Sequence, residues 1–187
     1  TSDLNTAVGT NALSKLTKDG TGSNTAVGYQ AGMAITTGHT NQLFGRGAGS
    51  SLTTASGSTF IGNEAGASVT TGNYNIGIGH DAINGGTTTG DNNIAIGNAA
   101  GDAMTTANNN ILMGKNAGGA MTTNGANTVI GHGAFATAAS GENNNVVIGA
   151  DAGASIVGSG GDLNVIIGVG AGTGGSALFS DSVVIGH

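Results

Sequence analysis

One pattern of polar and apolar positions returns along the whole chain. Its fullest form is Asn24-Thr25-Ala26-Val27-Gly28-Tyr29-Gln30-Ala31-Gly32: an Asn, three strand-type residues, a glycine, two variable residues, an alanine and a glycine. The glycine closing the triplet recurs as Gly9, Gly28, Gly45, Gly62, Gly79, Gly97, Gly114, Gly131, Gly149, Gly168 and Gly186, at intervals of 17 to 19 residues. A fixed period of this length marks a repeat architecture, in which each unit buries its apolar face only against its neighbours. The pattern predicts an all-β fold. Residues 1–187 read as a single parallel β-solenoid (β-roll or β-helix) domain of about eleven coils, each of 17–19 residues. With coils stacked about 4.8 Å apart, the rod is roughly 50 Å long.

Read by column, the triplet is apolar at both its middle and last positions. The last column runs Val8, Val27, Phe44, Ile61, Ile78, Ile96, Met113, Ile130, Ile148, Ile167 and Ile185, and it predicts the buried face. The middle column, which includes Phe60, Leu112, Val129, Val147 and Ile166, must point the other way on a strand. A strand apolar on both faces is buried on both. One face is the coil interior, so these five residues are expected to form a chain-chain interface.

Four positions before the glycine stand Asn5, Asn24, Asn41, Asn75, Asn93, Asn110, Asn127, Asn145 and Asn164, with Ser58 and Ser182 in the two remaining coils. Stacked Asn side chains suit a structural hydrogen-bond ladder at a turn better than a sugar-binding row. Three positions after the glycine, alanine is invariant from Ala12 to Ala171, as though only a methyl group fits. Glycine usually follows, as in Gly32, Gly49 and Gly66, and implies a sharp corner with positive φ. Farther on come a second apolar column (Ile35, Leu52, Val69, Met104, Met121) and Thr-Thr pairs such as Thr53-Thr54 and Thr105-Thr106. These predict a second short strand in each coil.

Composition narrows the function. Charged residues are 7% of the chain and the net charge is −6. The basic residues are Lys15, Lys18, Arg46 and Lys115, too few for a stripe, so nucleic acid is not an expected partner. There is no cysteine, and no apolar run approaches a membrane span, so neither disulfides nor membrane insertion of this segment is expected. The chain begins and ends within repeats, as expected of a segment of a longer fibre.

Candidate chemistry is sparse. Glu64 and Asp81 both lie two positions after the repeat glycine in adjacent coils, about one coil spacing apart, as a retaining glycosidase pair would require. The flanking coils carry Gly47 and Ala99 there and no aromatic platform accompanies the pair, so solvated turn carboxylates are the stronger reading. His80, His132 and His187 each follow the repeat glycine, and in a trimer three copies of one His could meet on the axis to bind a metal or anion. The same column holds Tyr29, Arg46 and Lys115, which suits a solvent-facing corner. The reading is of a non-enzyme with no cofactor and no metal. The Thr pairs raise an ice-binding face, but only one Thr of each pair can point outward.

The phrases Asn24-Thr25-Ala26-Val27-Gly28-Tyr29-Gln30-Ala31, Asn93-Ile94-Ala95-Ile96-Gly97 and Ser182-Val183-Val184-Ile185-Gly186-His187 resemble the repeat region of phage tail-fibre proteins. They are similar, too, to the head repeats of trimeric autotransporter adhesins, which are left-handed parallel β-rolls. The coil here is longer than the usual adhesin-head coil, which favours the tail-fibre group. The resemblance implies a homotrimer on a virion tail fibre or a bacterial cell surface, extracellular in either case. The implied function is that of a structural and adhesive segment in host attachment, with a host cell-surface molecule, a glycan or a protein, as partner. The alternatives are a bacterial adhesin head and an ice-binding solenoid.

Overall fold

Each coil spends three residues on a strand and the remainder on tight turns. The structure is a computed structural model and describes residues 4–17, 22–156, 161–173 and 180–186. Among these residues there are eleven strands, each three residues long: β1 (Thr6–Val8), β2 (Thr25–Val27), β3 (Gln42–Phe44), β4 (Thr59–Ile61), β5 (Ile76–Ile78), β6 (Ile94–Ile96), β7 (Ile111–Met113), β8 (Thr128–Ile130), β9 (Val146–Ile148), β10 (Val165–Ile167) and β11 (Val183–Ile185). They pair in chain order in one parallel sheet. The register aligns the repeat columns, with Thr25 opposite Gln42, Ala26 opposite Leu43 and Val27 opposite Phe44. The fold is therefore the parallel β-solenoid that the periodicity predicts.

The two faces of the sheet are reversed from the sequence expectation. Phe60, Leu112, Val129, Val147 and Ile166 are wholly buried inside the single chain and cannot form a chain-chain interface. The column expected inside points outward, with Phe44, Ile61, Met113 and Ile130 exposed. The cause is the alternation of a strand counted from the Asn column. Asn24, Asn41 and Asn93 are buried, so the position two residues later shares their interior face.

The predicted second strand is also corrected. In its place there are only isolated bridges, Val69 to Thr88 and Asn108 to Gly125, among the described residues. The Thr pairs turn the chain instead of extending it. Thr53 O accepts from three successive amides, those of Thr36, Thr37 and Gly38, at 3.0, 3.4 and 3.3 Å. A parallel ladder spaces its bonds evenly, whereas this convergence bends the backbone.

The repeat glycine is held by two constraints. Gly97 has φ +138°, and a Cβ there would lie 2.5 Å from Gly114 O in the next coil. The coils stack backbone on backbone at this corner, so no side chain fits.

The invariant alanines face the interior as expected, Ala31 through Ala152 being fully buried. Beside them the second apolar column fills the core with Ile35, Leu52, Val69, Met104, Met121 and Ile156. Where that column is small, another residue takes over. At the same sequence offset two coils carry exposed Gly86 and small Ala138, and there the glycine after the alanine is replaced by Ile83 and Phe135, both with φ 53° and both buried. A β-branched residue at positive φ is a strained choice. It is held here by the core volume it fills.

Candidate functional site

The Asn column is an interior ladder. Asn41 accepts at Oδ1 from the backbone N of Ser58 at 3.0 Å, and its Nδ2 donates to Asn24 Oδ1 at 3.1 Å and to Ala55 O at 2.8 Å. Asn93 and Asn127 repeat the scheme, each donating to the Asn of the coil before and to a carbonyl of the coil after. Asn75 donates to Gly90 O and accepts from Asn93. Asn110, Asn145 and Asn164 continue it, buried, and half-buried Asn5 begins it by accepting from Asn24 N at 2.9 Å. Ser58 keeps the chain of bonds intact, its Oγ accepting from Asn75 N at 3.2 Å. Side chains committed in this way have no surface to offer a sugar.

A second ladder, not anticipated in the sequence analysis, lies two residues before the first. Ser56 N donates to Asn73 Oδ1, Asn73 N to Asp91 Oδ1, Asp91 N to Asn108 Oδ1 and Asn143 N to Asp162 Oδ1, at 3.0, 2.6, 2.8 and 2.6 Å. It runs opposite to the Asn ladder, each amide reaching forward to the next coil. Its signal was the recurrence of Ser, Asn and Asp at one phase. The Thr pairs form a third set of links. Thr53 and Thr105 bond through Oγ1 to the carbonyls of Thr70 and Thr122, both at 3.1 Å, while Thr54 and Thr106 are exposed. One Thr of each pair thus faces water, giving a single exposed column.

The polar residues singled out for chemistry sit on corners. Glu64 and Asp81 have φ 58° and 56°, the left-handed conformation that this turn position takes in every complete coil. Glu64 forms an exposed ion pair with Arg46. Asp81 Oδ2 is 2.8 Å from His80 Nδ1, and its Oδ1 accepts from Asn84 Nδ2 at 3.0 Å. Each carboxylate has its own local partner. His132 is exposed, 3.7 Å from Asp151, and His187 lies outside the described residues. Among the described residues no group of three or more His, Cys, Asp and Glu is placed to hold a metal. Asp102 is pushed above the ordinary carboxylate range, first by burial and further by the nearby Asp81 charge, with a backbone hydrogen bond opposing.

The surface that stands out is the outer face of the sheet. Its two columns are the first and last positions of each strand, and neither contains a charged residue. From β5 onward both are apolar except at Thr128, as in Ile76 and Ile78, Ile94 and Ile96, Ile111 and Met113, and Val146 and Ile148. Ile61, Ile111, Met113 and Ile130 are 40%, 38%, 38% and 37% exposed within a wall of the same character. The corner column beside it is polar and exposed at Arg46, His80, Lys115 and His132. From β4 to β11 the strip is about 35 Å long and 10 Å wide, or roughly 350 Å², within the range of the largest apolar patch on a typical monomer. Compared with protein-family models, curated sequences and solved structures, the chain matches none. No helix of the described residues is long and apolar enough to cross a membrane.

Proposed function

We propose that the chain is a structural and adhesive segment of an extracellular trimeric fibre of the phage tail-fibre kind, involved in host attachment. The supporting observation is the uncharged apolar strip formed by the outward columns of β4 to β11. Identical rods hide such a strip by packing side by side about a common axis, each coil meeting the same coil of its neighbours. Symmetric self-association is the usual way for identical chains to bury a shared patch. The strip alone supplies roughly 350 Å² per chain, less than the roughly 800 Å² per partner of a standard interface, so the polar corner column takes part as the rim. In this reading three rods form one stiff shaft, and the corners and the exposed Thr column face outward, where a host glycan or protein can meet them.

Sedimentation equilibrium of this segment tests the reading. The expected mass is three times that of the chain across micromolar to nanomolar loading. A folded monomer over that range would remove the trimeric fibre. A dimer would retain the apolar interface and remove the threefold axis.

A further inference from the structure

One interior column contains an ionisable group where small residues are the rule. Seven positions before the repeat glycine, the coils carry Ala55, Gly72, Gly90 and Ala107, and then Asn124 and Glu142. Ala55 and Ala107 belong to the apolar core, and Asn124 and Glu142 are equally buried. Asn124 Nδ2 donates to Glu142 Oε2 at 2.7 Å, tying one coil to the next. Glu142 Oε1 is buried with no hydrogen-bond partner. An ionised carboxylate offers about four acceptor positions, and leaving one oxygen dry and bare strongly disfavours the charged form. A protonated acid is the better occupant, since a neutral carboxyl with one bare oxygen costs far less to bury than a charge.

The coil around it has no other use for a charge. Ala138 stands where most other coils place a larger apolar residue, and the Phe135 ring is buried beside it. Among the described residues the ion pairs are Arg46–Glu64, His80–Asp81 and His132–Asp151, so no basic side chain neutralises Glu142. The charged side chain acting on it is Asp162 of the following coil, which repels a negative charge; Asn124 of the preceding coil is neutral.

We propose that Glu142 is a buried proton-binding site that makes the stack between β7 and β10 tighter in acid than at neutral pH. Burial is the largest influence raising its carboxyl above the ordinary value of 4.5. The backbone amides of Glu142 and Ser140 and the Asn124 side chain offset part of this, and Asp162 adds to the rise. The sign follows from linkage. Below the ordinary value both folded and unfolded chains hold the proton, and the coil carries no penalty. As pH rises, the unfolded chain releases its proton first, so folding loses stability until the folded group also ionises.

The chain has two glutamates, Glu64 and Glu142, so selective ¹³C labelling of Glu carboxyls gives two signals, and the one absent from Glu142→Gln is that of Glu142. The Glu142 signal is expected to titrate above 4.5. Melting curves of the wild type and Glu142→Gln should coincide near pH 4, with the variant increasingly the more stable toward pH 8. A Glu142 midpoint at or below 4.5, or a melting difference independent of pH, overturns the proposal. If the variant does not fold, the titration of the unaltered chain decides.

Discussion

Phe60 fills in one coil the space that Gly77 leaves empty in the next. A Cβ at Gly77 would lie 2.8 Å from Phe60 Cδ1, and one at Gly66, in the coil of Phe60 itself, would lie 2.5 Å from the same ring atom. The ring is wholly buried and wedged between two glycines, so it cannot yield. Gly77→Ala is therefore expected to destabilise by about 1–2 kcal/mol, overpacking outweighing the entropy gained from removing a glycine. Phe60→Leu should rescue it. A double-mutant cycle in denaturant checks this, with a favourable coupling of roughly 0.5–3 kcal/mol expected for neighbours sharing one cavity. Additive effects would mean that the two sites do not share space.

The repeat glycine and an ordinary loop glycine should respond oppositely to the same change. Gly97→Ala meets both a φ that an L-residue rarely adopts and the Gly114 carbonyl, neither of which can move without unstacking a coil. A loss of roughly 2–5 kcal/mol is expected from strain and overpacking together. Gly86 is exposed, and the nearest atom to its added Cβ is Thr105 Cγ2 at 3.6 Å. Gly86→Ala should be neutral or stabilising by about 0.4–1 kcal/mol. Thermal melts of the two variants provide the comparison.

Asn93 carries bonds to both neighbouring coils. Its Oδ1 accepts from Asn110 N at 3.1 Å and Asn110 Nδ2 at 3.0 Å, and its Nδ2 donates to Asn75 Oδ1 at 3.1 Å and Ala107 O at 2.7 Å. Asn93→Ala leaves these partners buried. At about 1–3 kcal/mol for each group left unsatisfied, a loss of roughly 3 kcal/mol or more is expected even after water enters the gap. Asn93→Asp keeps the acceptor and loses the donor, and it should be at least as harmful at neutral pH because it buries a charge. Hydrogen exchange at the amides of Ile94 and Asn110 would localise the damage. An unchanged protection pattern would show that the ladder is not what holds the stack.

The coil period, the Asn ladder and the invariant alanine were all legible because each depends on one column read down the stack. Which sheet face lies inside was not, because both triplet columns are apolar and apolarity alone does not choose between them. Two features did carry the answer. The Asn column is interior, and strand alternation places Phe60 and Ala26 on its side. The middle column also varies in size from Gly77 to Phe60, the mark of a core in which each coil compensates its neighbours, whereas the last column is mostly uniform Ile and Val. The Thr pairs misled for a different reason. Threonine favours strands, but Thr53 O gathers three consecutive amides, and such three-centre turns leave no trace in residue type. Glu142 was passed over because a single carboxylate in a Gly- and Asn-rich return looks like any solvated loop residue until the stack encloses it.

The outward strip supports the last prediction. Ile61 and Ile130 lie in it, 40% and 37% exposed in the lone chain, and neither reaches the coil interior. Aspartate at both positions leaves the core, the Asn ladder and the glycine corners untouched. In a lone rod the double change Ile61→Asp and Ile130→Asp should cost about 1–3 kcal/mol in lost apolar cover and strand propensity without opening the interior. In a threefold bundle the same change places six carboxylates against a shared apolar axis, where each buried, unpaired charge costs several kcal/mol. The expected outcome is a chain that keeps its β circular dichroism while its sedimenting mass falls from trimer to monomer. Val147→Asp is the control: its side chain is wholly buried within the chain, so it should abolish folding rather than association. A double aspartate variant that stays trimeric would show that the strip lies on the outside of any assembly and that the rods meet through another face.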